Sequence, residues 1–308
     1  MKKISIILPC FKEAENVREL VPLIIRNIPK KYNYEIIIVD DGSDDETPFL
    51  IESLAKRNRK IKGILFYRRF GHMQALKAGI DFSKGDAVVT MDADFQHPPD
   101  VIPEAVVLWE KGHDLVLMQK NQDFRKRKAL EYSRSAGYEI WKWLTDGLLL
   151  PGISEFRLID RKIVNIISSS EEREPFLRGL VNLAARNPVV MSYKLGKRKF
   201  GRSAYTPIMI LNTFINGLIS FSTKPLRVMA AIGLVIGILS LVFLTVDTLA
   251  AVFLGRKLVA GYLTIVFLMA FLNGFIIFYL GVLGEYIGVI FREVKKRPGF
   301  YIDRKFNL

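Results

Sequence analysis

The sequence predicts an α/β domain built on a largely parallel sheet, followed by a helix lying in a membrane interface and two membrane-spanning helices. Three observations lead there. Short apolar runs alternate with helical patterns through residue 118, acids collect just after three of those runs, and two long stretches near the end carry no charge.

The runs ISIIL (4–8), EIIIV (35–39), IKGILF (61–66), DAVVTM (86–91) and DLVLM (114–118) read as strands. Most are apolar throughout instead of alternating, as expected of a parallel sheet covered on both faces. Among the helices between them, the clearest start is Thr47 with Pro48 behind it, a hydroxyl N-cap followed by proline at the first helical position. FRLID (156–160) reads as a further strand and 161–170 as a helix, while 125–147 reads as helical with a basic start, RKRK.

VMAAIGLVIGILSLVFLTV (228–246) and GYLTIVFLMAFLNGFIIFYLGVLG (261–284) are each uncharged. A spanning helix needs ~20 apolar residues for ~30 Å of hydrocarbon, and both qualify. Two buried core helices are the competing reading. Before them, YTPIMILNTFINGLISFS (205–222) places Ile208, Leu211, Ile215 and Leu218 at helical spacing, which predicts an interfacial helix, with a third span as its rival. The expected organisation is a catalytic domain over 1–200, an amphipathic segment over 201–225, two spans over 226–292 and a basic tail over 293–308. No apolar run opens the chain, and Lys224, Arg227, Arg292, Lys295, Lys296 and Arg297 flank the spans, so the domain and tail are expected in the cytosol. The one cysteine, Cys10, suits a reducing compartment.

Lys and Arg exceed Asp and Glu by 45 to 31, a net charge of +14. Beside two spans, anionic lipid and an anionic substrate account for this more simply than nucleic acid, which is not expected as a partner.

In such a sheet the ligand sits at the carboxyl ends of the strands. There stand Pro9-Cys10-Phe11-Lys12-Glu13, then DDGSDD from Asp40, then DADFQ from Asp92. Asp92 and Asp94 flank a small Ala93, and hard oxygen ligands of this kind suit Mg²⁺ or Mn²⁺ with phosphate oxygens and water completing the shell. Zinc-type clusters, GxxxxGK[ST] and GxGxxG are absent, so a diphosphate would rely on a cation and on the basic segment KLGKRKFGR (194–202). His72 reads as capping or packing at a helix start, with contact to the diphosphate as the lesser alternative, His97 and Glu285 as structural, and Trp141 and Trp143 as interfacial or core aromatics.

ILPCFKEAENV (7–17), IIIVDDGSDDET (36–47), FGHMQALKAGI (70–80) and VVTMDADFQHPP (88–99) together resemble family 2 glycosyltransferases of the Rossmann-like GT-A fold. FRLIDRK (156–162), KRKFGRSAY and the two spans resemble the polyprenyl-phosphate branch, which includes bactoprenol glucosyltransferases and dolichol-phosphate mannosyltransferases. The resemblance implies a nucleotide-sugar donor, UDP-glucose first, a divalent metal, inversion at the anomeric carbon and undecaprenyl phosphate as acceptor. It implies that Asp41, with Asp40 beside it, contacts base and ribose, and that Pro9, Phe11 and Glu13 line that pocket. Asp92 and Asp94 would hold metal and diphosphate, with Gln96 near the ion and Asp94 catalytic. Arg157, Arg198, Lys199 and Arg202 are expected against substrate. Glu155 occupies the acidic position before FRL that faces the acceptor in this branch, where Asp is more usual, and is expected to orient groups there or act as a base. A homo-oligomer, a tetramer, is also implied.

Other readings are a GDP-mannose or UDP-GlcNAc transferase, a processive polysaccharide synthase and a non-catalytic nucleotide-sugar-binding membrane protein. The synthase reading is weakened because no tryptophan follows an arginine in a Q-x-x-R-W element. Intact metal-type acids weigh against the non-catalytic one.

Overall fold

In a computed structural model of the protein, residues 1–120, 143, 153–170, 172, 176–196, 199, 217–219, 222–254 and 262–308 are described. The chain divides into two units, Met1–Leu211 with Lys296–Leu308, and Asn212–Lys295.

The first unit contains β1 (Lys3–Cys10), α1 (Ala14–Asn27), β2 (Asn33–Asp40), α2 (Thr47–Arg57), β3 (Ile61–Phe66), α3 (His72–Phe82) and β4 (Ala87–Thr90). After a 3-10 turn come α4 (Ile102–Glu110), β5 (Leu115–Lys120), β6 (Ile153–Asp160), α5 (Arg161–Ser169), α6 (Leu177–Ala184) and β7 (Pro188–Tyr193), and the unit closes with β8 (Ile302–Phe306). Its eight-stranded sheet has the order β7-β5-β6-β4-β1-β2-β3-β8.

All five apolar runs are strands, and β1 lies between β2 and β4, parallel to both. The sheet is mixed, however, because β6 enters antiparallel between β4 and β5. Successive side chains of a strand face opposite sides, and β1 shows this directly. Ile4, Ile6 and Leu8 join a core with Val17, Leu20 and Ile24 of α1. Ile7 joins another with Leu76 and Ile80 of α3 and Ile163 and Ile167 of α5. Coverage on both faces is why these strands are continuously apolar. At the opposite end from the acidic turns, buried Glu35 meets Lys3, Ser5 (2.6 Å) and Lys62 (2.8 Å). Burial alone would raise its pKa, but these partners and the Lys84 amide outweigh it and hold it at about 2.

Two details differ from the sequence reading. Thr47 is the first residue of α2 instead of its cap, and its N–H donates to Asp45 Oδ1 at 3.0 Å. Residues 302–306, read as part of a basic tail, form an edge strand antiparallel to β3.

The second unit holds α7 (Lys224–Leu254, 31 residues) and α8 (Tyr262–Val294, 33 residues). Within them Lys224–Phe243 and Phe271–Val294 are long and apolar enough to cross a membrane, with mean hydropathy 2.4 and 1.9. Neither stretch is buried within the protein, so the buried-core reading fails. The expected helix over 125–147 and most of the expected interfacial helix over 205–222 lie outside the described residues.

Candidate active site

The parallel register sets Cys10 beside Asp40, and the Asp41 N–H donates to the Cys10 carbonyl at 2.9 Å. The first two acidic turns therefore meet. Asp40 is almost fully buried and accepts from Ser43 N (3.0 Å) and Ser43 Oγ (2.5 Å), closing the turn. Asp41 accepts instead from the amides of Phe70 (2.6 Å) and Gly71 (2.9 Å). Burial pushes both carboxyls above their usual range, although for Asp41 the two amides and Arg69 pull the other way. Between turn and loop stands Gly42, with φ +72° and its missing Cβ direction only 2.4 Å from the Arg68 carbonyl carbon. No side chain fits there.

Pro9 is buried at the end of β1. Phe11 lies under the Arg69 guanidinium, 4.3 Å from ring centroid to Cζ. Glu13 accepts from Asn16, and its own N–H donates to Thr47 Oγ1 at 3.2 Å. These expected pocket residues thus share one edge with Asp40 and Asp41.

The third acidic turn follows β4. The Asp92 N–H donates to Nδ1 of buried His97 at 2.9 Å, so a neutral His97 carries its proton on Nε2. Burial lowers the His97 pKa and favours that neutral form. Its ring stacks on Phe156 at 4.9 Å, which fixes the turn. Asp92 Oδ1 is buried and has no hydrogen-bond donor among the described residues; His72 Nε2 stands 3.4 Å away, at ion-pair distance only. Asp94 is buried, with Oδ1 accepting from Gln96 N at 3.0 Å. Phe95 between them has φ +67°.

No group of three or more His, Cys, Asp or Glu is arranged for a metal among the described residues. Mg²⁺ and Mn²⁺ do not require one, since one or two carboxylates with phosphate and water suffice. A buried carboxylate oxygen without a donor, in a turn that also carries Asp94 and Gln96, fits such an ion.

Glu155 and Arg157 lie together on β6. The β4–β6 register pairs Thr90 with Arg157, and Thr90 Oγ1 donates to the Glu155 carbonyl at 2.5 Å. Glu155 is 5% exposed, and Arg157 (2.8 Å) and Arg178 of α6 both donate to it. Burial would raise its pKa, but the two guanidinium groups hold it at about 2. Such a carboxylate is ionised near neutral pH and is held between two guanidinium groups. Arg157, expected against substrate, is 2% exposed and pairs with Glu155.

The basic segment reaches the third turn. Gly196 N donates to Gln96 O at 3.1 Å, and a Cβ on Gly196 would lie 2.1 Å from Phe95 O. Lys199 pairs with Glu19 and lies 5.6 Å from the Phe95 ring centroid. Arg198 and Arg202 lie outside the described residues. Sequence reasoning missed Arg178, Arg69 and Gly196 and weighed His72 only lightly; the glycine before a basic run was the one available signal.

A mixed sheet with acids gathered at the carboxyl ends of its parallel strands is a GT-A-like α/β fold. The model of the family described as "Glycosyl transferase family 2" matches residues 5–165, and the chain belongs to that family. Among its relatives, the SfII prophage-derived bactoprenol glucosyl transferase of Shigella flexneri is 34% identical, over 98% of each chain. The uncharacterized glycosyltransferase sll0501 of Synechocystis sp. is 33% identical over 99% of this chain and 96% of its own. The prophage bactoprenol glucosyl transferase homolog of Escherichia coli K12 is 32% identical over 98% and 99%. A solved glucosyl-3-phosphoglycerate synthase from Mycobacterium tuberculosis superposes with TM-score 0.48 at 18% identity, covering 71% of this chain and 78% of that one.

Proposed function

We propose that the protein is an inverting glycosyltransferase that moves a hexose from a nucleotide-sugar donor, UDP-glucose first, to a polyprenyl phosphate such as undecaprenyl phosphate at the cytosolic face of a membrane. The observation that carries this reading is the buried Asp92 oxygen without a donor, set beside Asp94 in a family 2 domain. The relatives named as bactoprenol glucosyl transferases support the lipid acceptor. The two apolar helical stretches support two crossings, which return the chain to the side on which it started.

Asp92, Asp94 and Gln96 are the residues that hold Mg²⁺ or Mn²⁺. When bound, the ion supplies Lewis-acid stabilisation of the departing diphosphate. His97 and His72 orient Asp92 from its amide and carboxylate sides. Asp41 and Asp40 shape the nucleoside end, with Phe11 and Arg69 stacked beside it. Glu155 orients Arg157 and Arg178 behind the third turn and moves no proton. A general base is not demanded, because a phosphate monoester with a second pKa of about 6 is already largely ionised at neutral pH. Lys199, with Arg198 and Arg202, adds positive charge to the same edge.

The test is a donor screen of purified protein with undecaprenyl phosphate, reading the lipid by mass spectrometry. A hexosyl-phosphate lipid formed from UDP-glucose supports the proposal, and product from GDP-mannose or UDP-GlcNAc alone replaces the donor. No lipid product from any donor refutes it.

A further inference from the structure

The last strand of the chain touches the donor edge through the loop 67–71. On one side that loop is gripped by the second acidic turn, through the Phe70 and Gly71 amides on Asp41 and the close approach of Gly42 to Arg68. On the other side it rests on residues 300–301. Tyr67 N–H donates to the Tyr301 carbonyl at 3.0 Å. Phe300 stacks on Phe66 with centroids 5.0 Å apart and planes 14° apart, and the Tyr301 ring lies 5.8 Å from that of Phe70. Farther along, Asn307 Nδ2 donates to the carbonyls of Ala55 (2.7 Å) and Ile61 (2.8 Å), which pins the strand's far end.

We infer that Phe300 and Tyr301 are positioning residues for the nucleoside diphosphate half of the donor, acting through the loop 67–71 on the carboxylate of Asp41. The inference rests on the donor site argued under Proposed function. Gly71 has φ +104° and nothing within 4 Å of its Cβ direction, so neither bulk nor backbone preference fixes the loop there. Besides the Gln74 and Ala75 amides of α3 on the Gly71 carbonyl and Arg69 over Phe11, the loop is held by Asp41 on one side and by the two aromatic residues on the other. With the aromatic side removed, the amides that aim Asp41 wander, and Asp41 loses its set orientation toward ribose and base. Among the described residues, Asp92 is reached from this loop only through His72, which is anchored in α3, so the larger effect falls on donor affinity.

The experiment uses the full chain in detergent, comparing the parent with Phe300→Ala, Tyr301→Ala and the conservative Tyr301→Phe. Donor KM, kcat, UDP affinity by calorimetry and hydrogen exchange of the 67–71 amides are measured. The expected result is faster exchange in that loop, a donor KM raised about tenfold in the alanine variants, and kcat changed less than about threefold. Tyr301→Phe keeps the ring and behaves as the parent. If an alanine variant is too unstable to assay, the other carries the comparison. Unchanged donor KM, with or without faster exchange, overturns the inference and leaves the strand as a cover for the edge of β3. A parent that binds neither UDP nor GDP overturns the reading of the site itself, and the inference with it, so the two failures are told apart.

Discussion

His72 Nε2 lies 3.4 Å from Asp92 Oδ1, the oxygen that lacks a hydrogen-bond donor among the described residues. The first residue of α3 thereby steadies the acid that follows β4. Partners that orient a metal ligand typically contribute ~10–100-fold to affinity or activity. His72→Ala is expected to lower kcat/KM by ~10-fold or more and to raise the metal concentration needed for half activity. Metal titration of transfer rate checks this; an unchanged requirement removes His72 from the site.

Gly196 offers a steric test. A methyl group there meets Phe95 O at 2.1 Å, a contact with backbone that no side-chain rotation relieves. Gly196→Ala is expected to displace the basic segment from the third turn, at a stability cost of ~1–3 kcal/mol. Transfer should fall more than UDP affinity does. Thermal melts with parallel activity assays read both.

The Glu155 cluster sets a pH expectation. Its folded pKa of about 2 lies below its ordinary value of 4.5, so its contribution to stability is complete above about pH 4.5 and is lost as pH falls toward 2. Glu35, also at about 2, acts in the same window and direction. Denaturation midpoints should therefore fall on acidification through this range. Glu155→Gln leaves two arginines short of a buried counter-charge and should cost ~3–5 kcal/mol at neutral pH. Activity should show no titration attributable to Glu155 between about pH 5 and 8, since that carboxylate is already ionised there.

Asp41→Asn tests the nucleoside end. Asparagine keeps the shape but replaces by a donor one of two acceptor oxygens, of which Oδ1 faces both the Phe70 and Gly71 amides and Oδ2 the Gly71 amide alone. Donor KM should rise by about tenfold, as for loss of one charge-assisted hydrogen bond, with a smaller change in kcat. Steady-state kinetics with varied donor decides it.

How much of this was legible in the sequence follows from what each element needs. β1 to β5 announce themselves because burial on both faces leaves them mostly apolar. β8, with Asp303, Arg304 and Lys305 in the middle of five residues, looks like a charged tail; as an edge strand it pairs on one side only. The acids at 40, 41, 92 and 94 were legible because strand ends place them at the ligand edge. Their partners were not. His72 reaches Asp92 through tertiary packing, and Arg178 finds Glu155 across 23 residues of sequence. That long-range pairing holds Glu155 in an ion pair that the local sequence does not announce.

The central claim is that the acids of residues 92–94 hold a divalent cation for sugar transfer to a lipid phosphate. It is tested most directly by measuring transfer from UDP-glucose to undecaprenyl phosphate in parent and Asp94→Asn, with Mn²⁺ and after chelation. The account predicts lipid product only from the metal-loaded parent, with the variant reduced at least ~100-fold. Equal product from both proteins, or undiminished product after chelation, would contradict it.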